Sequence, residues 1–136
     1  MTVQEEISAY LGECGVFYFA TVDGDGASVR PLGFQMARNG QLYLGIGTHK
    51  DVYKQLVANP KISLAATKPD GSSWLRLSGT AVCDDDPALV DAAFEVMPQL
   101  KPMYEANGWT MGILHFEDAT ATFYENLMVP ARVETF

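Results

Sequence analysis

Basic residues are scarce in this chain: nine Lys and Arg stand against 17 Asp and Glu, a net charge of −8 over 136 residues. Gripping a nucleic-acid backbone requires a surplus of cations, so this balance excludes a general nucleic-acid binder and disfavours an anionic membrane surface. Long apolar runs are missing too, none approaching the roughly 18 residues of a membrane-spanning helix. The first residues, Met1-Thr2-Val3-Gln4-Glu5-Glu6, carry no basic segment followed by an apolar one, so no signal peptide is expected. Cysteine is limited to Cys14 and Cys83, far apart and without a Cys-x-x-Cys partner. Buried or half-buried free thiols in a reducing cytoplasm are expected rather than a disulfide or a redox pair. The two histidines, His49 and His115, lie too far apart in sequence for a metal site, and His115 alternates with apolar neighbours like a structural strand residue. Gly-x-Ser-x-Gly, His-Glu-x-x-His and Walker-type loops are absent, so protein-only nucleophilic or metal catalysis is not expected. Neither repeats nor linker-like stretches occur. A single domain over 1–136 follows.

What is present is the composition of a folded protein, 48% hydrophobic and 19% charged. Thr2 to Glu5 reads as a capping box, and Val3, Ile7, Tyr10 and Leu11 make one apolar stripe of a short helix that covers a sheet. Val16 to Val22 is a β-rich run ending in the turn Asp23-Gly24-Asp25-Gly26. Ala27 to Arg38 reads as the next strand; Pro31 within it lacks a ladder donor and implies an edge, a bulge or a ligand-facing break. Asn39-Gly40 closes a second hairpin onto the strand that starts at Leu42. Lys61 to Thr67 and Ser72 to Cys83 follow, the latter placing Trp74, Arg76, Ser78 and Thr80 opposite Leu75, Leu77, Gly79 and Ala81. Asp84-Asp85-Asp86-Pro87 starts a helix with the stripe Leu89, Val90, Ala93, Phe94 and Met97. A helical turn or two over Gln99–Asn107 ends at Gly108. Met111–Phe116 and Thr120–Tyr124 are the last strands, and the tail from Asn126 is irregular. About six strands with inserted helices point to an antiparallel barrel, because the first three strands have no helix between them.

The centre of this pattern is Gly45-Ile46-Gly47-Thr48-His49-Lys50-Asp51. Leu42, Leu44 and Ile46 alternate as a strand, whereas Val52, Tyr53, Leu56 and Val57 recur at helical spacing until Asn59-Pro60. A strand thus feeds directly into a helix N-terminus, where free N–H groups and the positive dipole end suit an anion. Thr48 is a candidate cap, Lys50 adds a full charge, and two glycines allow close approach to the backbone. A phosphate grip and an ordinary capped helix with a solvated lysine both fit these residues. Arg30, in an apolar strand, needs a partner, either an anionic ligand or a carboxylate such as Asp23 or Glu117. Trp74 suits core or dimer packing as well as a ligand platform. His49 is a candidate ligand contact. Together Arg30, the Thr48–Lys50 junction and Trp74–Arg76 suit a phosphorylated ring compound.

The chain resembles the pyridoxamine 5′-phosphate oxidase-like flavoproteins, the FMN-binding split barrels, from Glu5 to about Asn126. The likeness rests on Phe19-Ala20-Thr21-Val22-Asp23-Gly24, Val29-Arg30-Pro31-Leu32-Gly33, Leu42-Tyr43-Leu44 through Thr48-His49-Lys50, Val57-Ala58-Asn59-Pro60-Lys61 and Trp74-Leu75-Arg76-Leu77-Ser78-Gly79. It implies a mainly β protein, a six-stranded antiparallel split barrel with inserted helices, that forms a homodimer with FMN in clefts between subunits. By that resemblance Arg30 and Lys50 hold the FMN phosphate, with Thr48 and His49 matching the polar residues before the lysine. Main chain at Pro31 and Leu32, and around Ile46 and Gly47, lines the flavin; Trp74 takes a flavin-contacting position, and Trp109 of the second subunit completes the site. The C-terminal Trp and Arg-rich segment that bind vitamin B6 substrate in true pyridoxamine phosphate oxidases have no counterpart in Val129–Phe136. An FMN-dependent oxidoreductase acting on an unidentified small molecule is the expected activity; a non-catalytic flavin- or haem-binding module is the alternative, and deazaflavin is a further cofactor of such barrels.

Overall fold

The computed structural model describes residues 1–136. Helix α1 (Val3–Cys14) begins with the capping box read from the sequence: the Thr2 hydroxyl accepts from Glu5 N–H while the Glu5 carboxylate accepts from Thr2 N–H. Strands β1 (Phe17–Asp23) and β2 (Gly26–Leu32) pair through the Gly24 turn, and β3 (Gln35–Arg38) and β4 (Gln41–Gly47) pair through Asn39-Gly40, both at positive φ. Helix α2 (Asp51–Ala58) follows β4. Then come β5 (Lys61–Thr67), β6 (Trp74–Asp84), α3 (Pro87–Val96), α4 (Leu100–Asn107), β7 (Met111–Asn126) and β8 (Val129–Thr135). Asp86 caps α3 ahead of Pro87, and Gly108 ends α4 in the left-handed region.

All pairings are antiparallel, in the order β2-β1-β5-β6-β7-β4-β3, with β8 on β7. The mainly β, antiparallel class with inserted helices is therefore the observed one. The stretch read as one strand, Ala27–Arg38, is broken at Gly33-Phe34, so β2 and β3 form the two opposite edges of the sheet. The chain crosses between these edges, closing the barrel covalently where no ladder closes it. Pro31 sits on the outer edge strand, where no neighbour needs its missing N–H.

Two sequence expectations fail at the C-terminus. Met111–Asn126 is one 16-residue strand rather than two, because the stretch between the two expected strands, around Glu117-Asp118, is only a local irregularity, with Asp118 at φ 48° and the β6 register shifting between Ser78 and Thr80. The tail is ordered, not irregular. β8 pairs with the second half of β7, and Phe136 exchanges backbone bonds with Ala119. Neither segment alternates cleanly in hydrophobicity; the partner strand, not the pattern, specifies them.

The barrel interior holds Phe17, Phe19, Leu42, Leu44, Leu64, Leu75, Leu77 and Leu114, plugged by Ile7 and Leu11 of α1 and Val52 and Leu56 of α2. A second, smaller core lies outside the barrel, where the outward residues Tyr43, Met111 and Ile113 pack against Leu89, Ala92, Ala93 and Tyr104 of the α3–α4 pair. β4 is thus buried on both faces. Cys14 is half-buried, as expected, but Cys83 is exposed; both thiols are free.

Candidate functional site

The strand-to-helix junction and the break between the edge strands meet in one place. Pro31, Leu32, Gly33 and Phe34 from the β2–β3 link, Gly45 from β4, and His49 and Lys50 line a cleft of about 610 Å³ whose far wall is Met97, Leu100, Met103 and Tyr104, with Trp109 and Met111 at its end. No carboxylate lines it, although the chain has 17. Outward-facing positions of β4 are glycines here because there is no room for more: a Cβ at Gly45 would come within 2.9 Å of the Phe34 ring, and one at Gly47 within 2.5 Å of the His49 ring.

His49 is exposed, and its ring stacks on Trp109 at 4.3 Å and 13°, with the Tyr104 ring edge-on at 6.3 Å. Trp109, expected from a second subunit, therefore stands in the chain's own cleft, brought there by the left-handed Gly108 that turns the chain out of α4. Burial pushes the Tyr104 phenol pKa up.

Thr48 does not cap α2. Its N–H donates to Thr110 O at 2.9 Å, Lys50 N–H donates back to Gly47 O at 3.1 Å, and the helix begins two residues later than a Thr48 cap requires, at Asp51. Lys50 occupies the N-cap position and supplies no side-chain cap, so the first N–H groups of α2 are left without one. The Lys50 ammonium forms no ion pair; only Lys68, Arg132 and His115 do in this molecule.

Arg30 projects from β2 toward α2, on the inner side of the barrel mouth. Its Nη1 donates to Phe19 O (3.2 Å) and to Thr21 Oγ1 (2.8 Å), and its Nη2 to Gln55 Oε1 (2.7 Å). Both carboxylates offered by the sequence, Asp23 and Glu117, are absent from this set. Burial lowers the Arg30 pKa, and the more distant charges of Asp23 and Asp51 only partly oppose it, so the guanidinium stays charged but undercompensated. Arg30 thus reaches the middle of α2 through Gln55, whereas Lys50 stands at the N-cap of the same helix; Lys50 lines the cleft and Arg30 does not.

Ile46 is buried in the barrel core and Gly47 beside it, so only main chain is available at these two positions. Trp74 is not in the cleft. It lies at the opposite end of β6, its ring flat on Tyr124 at 4.0 Å and 4°, Nε1 donating to Leu127 O, with Arg76 over its face at 5.0 Å. His115 is the satisfied structural residue expected, bonded to Asp84 Oδ2 (2.6 Å) and Glu117 Oε1 (3.2 Å). The methionine-rich wall, Met97, Met103 and Met111 with Leu100, was not anticipated.

A family model for pyridoxamine 5′-phosphate oxidase matches residues 3–107, from the start of α1 to the end of α4. The chain belongs to that family. Within it, a NimC/NimA family protein from Clostridium acetobutylicum is 34% identical, with a TM-score of 0.83 over 98% of this chain and 90% of the other. Two more distant structures share the fold. A FAD-binding protein from Mesorhizobium loti has 17% identity and a TM-score of 0.62, over 89% of this chain and 94% of its own. A haem-binding protein from Mycobacterium smegmatis has 14% identity and a TM-score of 0.70, over all of this chain and 58% of its own. No curated protein matches the chain. No helix is long and apolar enough to cross a membrane.

Proposed function

We propose that the protein binds FMN in the cleft between the β2–β3 link and α4, and carries out a redox reaction on a small molecule there. The observations that support this reading are an acid-free cleft containing Lys50 and, on β2 next to the lining residue Pro31, a guanidinium, Arg30, whose three hydrogen-bond partners are all uncharged oxygens. Lys50, Arg30 and the uncapped start of α2 hold the phosphate; charge-assisted contacts with a helix N-terminus are the strong way to bind such a group. Thr48 and His49 border the phosphate, and main chain at Pro31, Leu32, Ile46 and Gly47 borders the ring. Family membership and the existence of a FAD-binding protein on this fold support a flavin. Bound FMN supplies hydride and electron transfer through its ring system; the protein supplies grip, orientation and exclusion of water. Two copies enclose the cofactor. Trp74, remote from its own cleft, belongs to the face that meets the second copy.

The protein as purified is expected to be yellow and to release FMN on denaturation, identified by mass spectrometry. Lys50→Ala and Arg30→Ala are each expected to weaken FMN by roughly tenfold to a hundredfold, the equivalent of about 1.5–3 kcal/mol per charged contact, with thermal melting of the apoprotein unchanged. Unaltered titration curves, or a haem Soret band instead of flavin absorption, overturn the assignment. Sedimentation of the loaded protein at the mass of a monomer overturns the shared cleft.

A further inference from the structure

Thr21 is the one polar side chain in the buried interior, 3% exposed among 28 hydrophobic residues. A buried hydroxyl must be bonded, and Thr21 is bonded to the two polar residues that matter here. Its Oγ1 accepts from Arg30 Nη1 at 2.8 Å and donates to Gln55 Oε1 at 2.6 Å, while the same Gln55 oxygen accepts from Arg30 Nη2 at 2.7 Å. The three form a closed triangle joining β1, β2 and the middle of α2. Resting on the FMN reading above, we infer that Thr21 and Gln55 are positioning residues that aim Arg30 at the phosphate and make the site select phosphorylated over unphosphorylated flavin.

The argument is one of donor counting. A guanidinium has five N–H groups in a fixed plane. Phe19 O and Thr21 Oγ1 take both on Nη1, and Gln55 Oε1 takes one on Nη2. Because the Thr21 and Gln55 oxygens touch, they occupy the end of the fork between Nη1 and Nη2. What is left is the second Nη2 hydrogen and Nε–H, two parallel donors along one edge, the pair that meets two oxygens of a phosphate at once. Every acceptor in the triangle is neutral, so the guanidinium is held in place without being neutralised. A carboxylate at Gln55 would hold it as well and cancel it. Gln55 also ties Arg30 to the helix whose N-cap position Lys50 occupies.

The test is the ratio of FMN to riboflavin affinity, titrated on the full-length apoprotein. Thr21→Val keeps the shape and removes the hydroxyl; Gln55→Leu removes the second acceptor; Gln55→Glu keeps both acceptors and adds the counter-charge. The ratio is expected to fall several-fold in Thr21→Val and Gln55→Leu, and by about tenfold or more in Gln55→Glu, with riboflavin affinity unchanged throughout. Gln55→Leu added to Arg30→Ala is expected to change nothing further. A ratio lowered by Arg30→Ala but indifferent to all three variants overturns the positioning role and leaves the FMN reading standing. A wild-type protein that does not distinguish FMN from riboflavin overturns that reading, and this one with it.

Discussion

Two glycines show how finely this site is built, and they respond differently to the same methyl group. A Cβ at Gly112 would lie 2.4 Å from the Tyr53 ring and 3.0 Å from the Ile46 carbonyl, a backbone atom that cannot swing aside. Gly112→Ala is expected to destabilise the fold by about 1–3 kcal/mol, as overpacking does, read as a lower urea midpoint at unchanged slope. At Gly47 the nearest obstacle is the exposed His49 ring, which can swing aside, with the Tyr104 hydroxyl at 3.0 Å beyond it, so Gly47→Ala is expected to lower the midpoint less than Gly112→Ala does. It should also unstack His49 from Trp109 and raise or shift the tryptophan fluorescence. No change in either signal would show that the His49–Trp109 stack is not held by this glycine. Residue identities of this kind were only partly legible. Lys50 and His49 were read from local pattern, Pro31 and Leu32 as lining residues from the family resemblance, and the four do share a cleft. The partners of Arg30 were not, since Gln55 lies 25 positions away and nothing local marks a glutamine as a ligand of an arginine. Trp109 lines the chain's own cleft and Trp74 does not, and neither placement was legible, because an aromatic side chain carries no local mark of what stands opposite it.

Among the elements, β6 and β7 are cross-linked where the barrel gives way to the second core. Val82 pairs with His115, whose imidazole joins Asp84 at the end of β6 to Glu117 on its own strand, with the Tyr43 ring of β4 edge-on at 6.4 Å. Burial alone would lower the His115 pKa, but the hydrogen bonds and charges of Asp84 and Glu117 outweigh it and the net shift is upward. A pKa raised in the folded state means stability that is complete below the ordinary imidazole value of about 6.5 and is lost as pH climbs through the raised one. The urea midpoint of the wild type is therefore expected to fall on going from slightly acid to mildly alkaline pH, and that of His115→Gln to stay level across the same window. Equal slopes for both proteins would remove His115 from the linkage. Elements with their own start and stop signals, α1, α3 and the two hairpins, were readable from the chain. Those defined by a neighbour, the unbroken β7 and the strand β8, were not, because pairing with a distant strand leaves no local period.

At the scale of the molecule, the cleft exists because two cores are stacked side by side. Twenty buried residues fill the barrel, whereas eight hold α3 and α4 against its outer face. The smaller core is bounded by the end of β6 on one side and the left-handed Gly108 on the other, with Phe94 against Tyr104 at its centre. Fewer buried contacts mean a lower free energy for local opening. The α3–α4 pair is thus expected to detach from the barrel in advance of global unfolding, its amides exchanging about tenfold or more faster than those of β5 and β6. Since Met97, Leu100, Met103 and Tyr104 form the far wall of the cleft, a ligand seated there binds only the docked form, and saturating FMN is expected to slow exchange across Leu89–Tyr104 while leaving β5 unchanged. Exchange that is uniform over both cores would show one cooperative unit. Protection by FMN confined to α2 would place the cofactor at the helix start alone, and would leave the methionine wall to the substrate.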